Sequence, residues 1–308
     1  MKFIVKKVIK GRPYHYLQYG THQKFLGTAI PHNVKAKLME FFLEVANKEY
    51  ERIDGKIQCL FAPKNLKKLE IMHYVFILIS RNELFAEEYT AFQNKFAALF
   101  TFNSNRSEGS KIKREEIEKT MNSRIRIPKT MNDTEIFNSL AALTFSISPD
   151  MKWNIKSIKS VHGLLLQNMA PASVVGKWKT DHNVAPNNQP TSAPQFVADE
   201  IRQLLKTLKD TKKNGAYPPL IALSLYYRFE HIHPFLDGNG RVGRILFNAY
   251  LSHHSYMPII FFTQNHVAHC ASLTKAIDGR PKALYLHMLD QAAKTLEEIK
   301  MIIHARTR

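Results

Sequence analysis

A mainly helical fold with a short basic β element at its N-terminus is predicted for this 308-residue chain by three observations. Apolar residues recur at helix-like spacings through nearly every segment after Asn33. The first 32 residues instead alternate, with Gly and Pro breaks between short runs. Hydrophobic residues make up 44 % of the chain, ample for a packed core. The length suits about two domains, and the chain reads as three stretches: 1–32 as the basic β element, 33–135 as a helical N-terminal region, and 136–308 as a helical core.

Phe3 to Ile9, Tyr14 to Tyr19 and Lys24 to Gly27 read as short antiparallel strands, separated at Gly11–Pro13 and at Gly20. Val34 to Ile53, Asn65 to Ile79 and Glu83 to Phe102 follow as helices, then Lys111 to Met121, Asp133 to Phe145, Ile155 to Leu166 and Glu200 to Leu208. Their Leu, Met and Phe stripes are core positions. Pro218 to Ile232 carries Ile221, Ala222, Leu225, Phe229 and Ile232 at three- and four-residue spacings, which gives a helix one buried face. Breakers follow at Pro234 and Asp237-Gly238-Asn239-Gly240, and a new periodic run, Ile245, Leu246, Ala249 and Tyr250, starts the next helix.

Net charge is +18, from 44 Lys plus Arg against 26 Asp plus Glu, and no acidic residue precedes Glu40. The basic strands suit nucleic acid, with Tyr14, Tyr16 and Tyr19 as stacking groups, or else a solvated sheet or a docking surface for an acidic protein. Because no groove-reading motif stands behind the charge, nucleic acid is the less favoured partner. Cys59 and Cys270 cannot build a disulfide framework, and Lys6, Lys7 and Lys10 interrupt the only apolar residues near the start, which leaves no signal-peptide core. The longest apolar patches, Val75 to Ile79 and Pro258 to Phe262, are far short of a membrane span. A reducing, cytoplasmic location without a membrane partner is expected. His266-x-x-His269-Cys270 lacks a second Cys/His pair at finger spacing, which favours an ordinary helix over a zinc site.

The chemistry concentrates between His233 and Arg244. Gly238 and Gly240 let the backbone turn and bring N–H groups near a ligand, and the helix that follows adds its unpaired first-turn donors and positive dipole end. That combination is an anion site. Arg241 and Arg244 lie three apart on one helix, so their guanidinium groups can hold separate phosphates of a polyphosphate. Asp237 stands at the loop mouth, where a carboxylate beside phosphates usually holds Mg²⁺. His233 is the natural general base. Gly238-x-Gly240-x-x-Gly243 also matches the dinucleotide fingerprint, but a helix precedes it and no Asp or Glu occurs between Arg244 and Ala276. A kinase glycine loop fails for want of the catalytic- and metal-loop signatures.

The run His233-Pro234-Phe235-x-Asp237-Gly238-Asn239-Gly240-Arg241-x-x-Arg244 resembles, without a break, the signature of the Fic family, whose members typically transfer AMP from ATP to a hydroxyl of a target protein. The resemblance covers Asn103 to Arg244 well and the first hundred residues hardly at all. It implies a Fic-type helical bundle with a small β-hairpin flap, Mg²⁺ and ATP as cofactor and substrate, and a Ser, Thr or Tyr hydroxyl as acceptor. It further implies that His233 deprotonates that hydroxyl, that Asp237 holds Mg²⁺, that Gly238, Asn239, Gly240 and Arg241 bind the α- and β-phosphates and Arg244 the γ-phosphate, and that Phe235 is a core anchor. The Gly-Asn-Gly loop goes with nucleotidyl transfer within the family.

Ser104-Asn-Arg-Ser-Glu108-Gly109 resembles the family's inhibitory-helix pattern, which implies an inhibitory helix near 104–118 with Ser104, Glu108 and Gly109 as its regulatory residues. Glu108 would then pair with Arg244 and take the group meant for the γ-phosphate. Gly176-Lys-Trp-Lys-Thr180 through Val184 resembles the start of the flap, with Lys179 where arginine is common and Ala185-Pro186 interrupting the usual alternation; the competing reading of Asp181 to Pro194 is an Asn/Pro-rich surface loop. Tyr226 stands where relatives often have histidine, so a packing difference is expected there. Two other functions stay open: a de-AMPylating or bifunctional enzyme in which Glu108 orients water, and a basic nucleic-acid-binding regulator whose nucleotide site is only a sensor. The oligomeric state stays open too, a homo-oligomer included.

Overall fold

The computed structural model describes residues 2–60, 63–123, 127–185, 189–213 and 216–305; of 211–213 and 300–305 it describes the backbone alone. The chain divides into two units: residues 1–94 with 255–257 and 293–308, and residues 95–254 with 258–292.

The first unit opens with an antiparallel meander, β1 (Ile4–Ile9), β2 (Arg12–Tyr19) and β3 (His22–Gly27), in the order β1-β2-β3. The three predicted strands are all present. Side chains alternate across the sheet, and the register pairs Ile4 with Leu17 and Leu17 with Lys24 on one face, Val5 with Tyr16 and Tyr16 with Phe25 on the other. The Leu17 face lies on α1 (Val34–Glu51): Leu17 is 1 % exposed, the Phe3 and Tyr19 rings pack against Phe42, and Lys24 and His22 pair with Glu44 and Glu49. Tyr19 is therefore half-buried against α1, on the opposite face of the sheet from Tyr14 and Tyr16. Helices α2 (Gly55–Leu60) and α3 (Pro63–Arg81) follow, and α1 packs on α3 through residues such as Leu38, Phe42, Leu69 and Met72.

α4 (Ala86–Arg106) begins in the first unit and ends in the second. That unit then contains α5 (Arg114–Asn122), α6 (Met131–Ile147), α7 (Ile155–Leu166), a two-stranded β4 (Val184–Ala185) and β5 (Gln189–Pro190), α8 (Val197–Lys213), α9 (Pro218–Ile232), α10 (Asn239–His253) and α11 (His266–Ile277). α12 (Lys282–Ala305) closes the described chain. Local capping sets several of these starts. The Thr130 hydroxyl accepts from Asp133 N at 3.0 Å while the Asp133 carboxylate accepts from Thr130 N, a capping box that begins α6 two residues earlier than the apolar pattern implies. Asn154 caps α7 in the same way by accepting from Ser157 N at 2.9 Å.

α10 is the axis of this unit. It packs on α6, α7 and α9, and its residues from Arg241 to Leu251 are all buried, as a helix surrounded by others must be. Two expectations need correction. Asn239 and Gly240 form the first turn of α10 and are not part of the connecting loop; Gly238, at φ 76°, makes the turn in the left-handed region, so the chain can enter helix at once. The stretch 104–118 is not one helix. α4 stops at Arg106, where Glu108 N and Gly109 N bond back to the carbonyls of Asn105 and Arg106 at 3.0 and 3.1 Å, and Gly109 takes φ 91°, which a helix cannot continue. No helix among the described residues is long and apolar enough to cross a membrane.

Candidate active site

The end of α9 and the start of α10 form the floor of a cavity of about 400 Å³. His233, Asp237, Gly238, Asn239, Gly240 and Arg244 line it, together with Glu108, Glu230, Val184 and, from α11, His266 and Cys270. His233 is the C-cap of α9 in the left-handed conformation, φ 49° and ψ 59°, an uncommon state for a residue with a Cβ. Its Nδ1 lies 3.2 Å from the Glu230 carbonyl. A carbonyl only accepts, so Nδ1 carries the proton and Nε2 is the basic nitrogen. Burial lowers the imidazole pKa to about 4, which keeps it neutral near pH 7.

The connecting loop is locked by its own side chains. Asn239, 2 % exposed, accepts from Phe235 N at 2.9 Å and donates to Phe235 O at 2.7 Å. The amide oxygen and one amide hydrogen of Asn239 are thus spent on the loop. Phe235 is fully buried and stacks on His162 with ring centroids 3.8 Å apart. His162, a residue the sequence pattern did not single out, accepts from Gly176 N at 2.9 Å through Nδ1 and donates from Nε2 to Asp237 O at 3.1 Å. Burial holds its pKa near 4, so it stays a neutral strut between the loop and the segment before β4. Asp237 reaches outward with its side chain 70 % exposed, and its Oδ2 lies 3.5 Å from Arg241 Nη2. The buried Nε of Arg241 has no partner among the described residues.

Arg244 is 4 % exposed and three of its five guanidinium hydrogens are engaged: Nη2 donates to Glu108 Oε1 at 2.7 Å and to Ser104 O at 2.9 Å, and Nε to the Ser104 hydroxyl at 3.1 Å. Ser104 sits on the last turn of α4 and Glu108 in the turn that follows. Burial pushes the Glu108 carboxyl up, but the charge and hydrogen bond of Arg244 outweigh it and hold the pKa below the usual carboxylate value. Gly240 makes room for this contact: a Cβ there would come within 2.3 Å of Glu108 Oε1.

Lys179, which the sequence marked as a departure from the flap pattern, fixes the base of the hairpin. Its ammonium, 4 % exposed, donates to Asn183 Oδ1 at 2.7 Å, Thr191 Oγ1 at 2.8 Å and Ile232 O at 3.2 Å, while Lys179 N donates to Pro234 O at 2.9 Å. Both sides of the hairpin are thus tied to the residues flanking His233. β4 and β5 pair antiparallel over two residues each; Pro186 lies outside the described residues. Tyr226 fills the α9 core, and its hydroxyl is 2.7 Å from His269 Nε2, so the packing difference expected at this position is a buried hydrogen bond. His269 is committed to that partner, Cys270 lies 3.5 Å from His266 Nε2, and among the described residues no group of three or more His, Cys, Asp or Glu is placed to hold a metal ion.

Glu230 carries no motif signal, yet it is 1 % exposed, with Oε1 lacking a hydrogen-bond partner among the described residues and Oε2 3.8 Å from His233 Nδ1. Burial pushes its pKa from 4.5 up to about 8, against the pull of Arg244. The folded state therefore binds more protons than the unfolded state between about pH 4.5 and pH 8, and the stabilisation present below that window is lost as pH rises through it. Glu230→Gln, which cannot ionise, is expected to flatten this loss. Thermal melts from pH 5 to pH 9 test it; equal losses in Tm for variant and wild type would show that Glu230 titrates normally.

Residues 152–251 match the sequence model of the Fic/DOC family. Among curated proteins, the protein adenylyltransferase Fic of Drosophila ananassae is 27 % identical over 152 residues, and fic-1 of Caenorhabditis briggsae 28 % identical over 142 residues. The matches cover 49 % and 46 % of this chain but only 30 % and 28 % of those proteins. Among solved structures, Fic-1 from C. elegans superposes with a TM-score of 0.67 at 20 % identity, covering 89 % of this chain and 85 % of that one. A Fic domain containing signaling protein from Bacteroides thetaiotaomicron gives 0.63 at 17 % identity, covering 76 % and 97 %. These likenesses establish the shared fold. With the sequence match across α7, α9 and α10, residues 152–251 are a Fic/DOC family domain.

Proposed function

We propose that the chain is a protein adenylyltransferase that moves AMP from ATP to a Ser, Thr or Tyr hydroxyl of a target protein, under restraint by Glu108. The observation that carries this reading is the convergence of a neutral His233, the Asp237 carboxylate, the first turn of α10 and Arg244 on one cavity within the Fic/DOC domain. His233 Nε2 takes the proton of the acceptor hydroxyl as its oxygen attacks the α-phosphorus in line with the departing pyrophosphate. The backbone N–H groups of Asn239 and Gly240 hold the α- and β-phosphates with Arg241, whose buried Nε has a hydrogen to give, and Gly238 N–H, which here donates to Asp237 Oδ1 at 2.6 Å, joins them when it turns from that carboxylate to a phosphate. The γ-phosphate falls to Arg244.

Asp237 would hold Mg²⁺, an ion ordinarily bound by one or two carboxylates plus substrate phosphates, so one outward carboxylate at the cavity mouth fits its needs. Bound there, it offsets phosphate charge. The strand residues Val184 and Ala185 border the same cavity and suit a target segment added alongside them.

Intact-mass and peptide mass spectrometry of the protein incubated with Mg-ATP and a lysate tests the reaction. A gain of one nucleotidyl group on a protein side chain is expected, and Asp237→Asn should weaken transfer and its Mg²⁺ dependence together. An unchanged Mg²⁺ titration in that variant would remove the metal assignment; no nucleotidyl gain on any protein would remove the function. One feature favours a second reading: the Glu108 carboxylate lines the same cavity as His233, where it could orient a water for removal of AMP. Loss of AMP from a premodified protein, abolished by Glu108→Gly, distinguishes that activity.

A further inference from the structure

The outer face of the N-terminal sheet is built unlike a surface that merely faces water. Strand alternation puts Val5, Lys7 and Ile9 of β1, Arg12, Tyr14, Tyr16 and Gln18 of β2, and Gln23 and Phe25 of β3 on the side away from Leu17 and α1. They form one continuous layer. Phe25 sits between Tyr14 and Tyr16 with ring centroids 6.2 and 5.4 Å away, the Lys7 ammonium lies 4.8 Å from the Tyr16 ring centroid, and Lys7 donates to Gln23, which donates to Gln18. Phe25 remains 56 % exposed and Ile9 48 %. This stretch has Lys2, Lys6, Lys7, Lys10, Arg12 and Lys24 and no Asp or Glu before Glu40.

We propose that this face binds single-stranded nucleic acid, with Tyr14, Tyr16 and Phe25 stacking on bases and Lys7 and Arg12 on phosphates. Cations alone would serve an acidic protein equally well; three clustered rings with amide side chains at their edge and no carboxylate among them fit a ligand that alternates flat apolar bases with anions. A duplex hides its base faces, so the lack of any groove-reading helix is no obstacle to a single strand. Strands spaced about 4.8 Å apart give three strands room for roughly two or three nucleotides. This surface lies outside the Fic/DOC match and is independent of the transfer reaction.

Fluorescence anisotropy of the full chain with labelled 12-nucleotide single-stranded RNA, single-stranded DNA and a DNA hairpin duplex, each at 50 and 200 mM salt, tests the proposal. Single strands should bind more tightly than the duplex, and the two single-strand arms report which sugar is preferred. Phe25→Ala should weaken binding by about tenfold, and Lys7→Gln should reduce the slope of log affinity against log salt by about 0.7. Tyr16→Ala should weaken binding as Phe25→Ala does, and Tyr16→Phe, which keeps the ring, should retain it. Three results would overturn the idea: no binding at 50 mM salt, equal binding of duplex and single strand with no effect of Phe25→Ala, or displacement of the oligonucleotide by polyglutamate at the same charge concentration. The last would assign the face to an acidic protein.

Discussion

His233→Ala is expected to lower AMP transfer by about 10²- to 10⁴-fold while ATP affinity stays within about twofold of wild type. The groups proposed to face the phosphates are the Gly238–Gly240 backbone, Arg241 and Arg244, and none of them depends on the imidazole for its position. The substitution has a structural side as well, because position 233 is left-handed, a state that histidine adopts more readily than alanine, and the Nδ1 contact to Glu230 O is lost. His233→Asn controls for this, since Asn tolerates that conformation better and has no basic nitrogen. Both variants should lose transfer, with titration calorimetry showing retained nucleotide binding. Undiminished labelling of the target by either would sink the mechanism. The wild-type imidazole, held near pKa 4 by burial, remains a free base well below pH 6.5, so kcat/KM should hold as pH falls from 7 to about 5; a fall centred near 6.5 would mean that His233 titrates as an exposed histidine does.

Glu108→Gly is expected to raise automodification with ATP by at least about tenfold, equivalent to about 1.4 kcal/mol of released competition. Arg244 now spends one donor on Glu108 and two contacts on Ser104, so a γ-phosphate would compete with a carboxylate already held by a charge-assisted bond of 2.7 Å. Combining Glu108→Gly with Arg244→Ala should abolish the gain, because the freed partner is then absent. A gain that survives loss of Arg244 would place the restraint in some other contact, such as the seat of Glu108 against Gly240. No gain in the single variant would leave Glu108 as a helper of AMP removal or without a regulatory role.

Much of this site is visible in the order of residues along the chain. The apolar period of Ile221, Ala222, Leu225, Phe229 and Ile232 defines α9 to the residue, and the breakers after it place His233 at a helix end. The pairing of Glu108 with Arg244, 136 positions apart in sequence, is what the resemblance of two short motifs to the family pattern implies, each motif marking one partner. What the pattern misjudged was the reach of turns. Asn239 and Gly240 look like loop residues because their types break helices in isolation, yet the left-handed Gly238 absorbs the whole turn and burial of α10 carries the helix through them. Lys179 looked like a fault in the flap, and it proves to be the buried cation that holds the hairpin base to Ile232 and Pro234.

By itself, then, the sequence determined the helical class, the basic strands, and the family motif with its histidine, carboxylate and arginines, because each is a matter of spacing within a few turns of chain. Only the tertiary structure decided that Tyr19 faces the core while Tyr14, Tyr16 and Phe25 share an open face, that His162 braces Asp237, and that Glu230 is buried beside His233. Those outcomes depend on which elements meet across long separations. Burial, which shifts Glu230 and His233 in opposite directions, is set by how helices pack around a residue and not by the residues next to it in sequence.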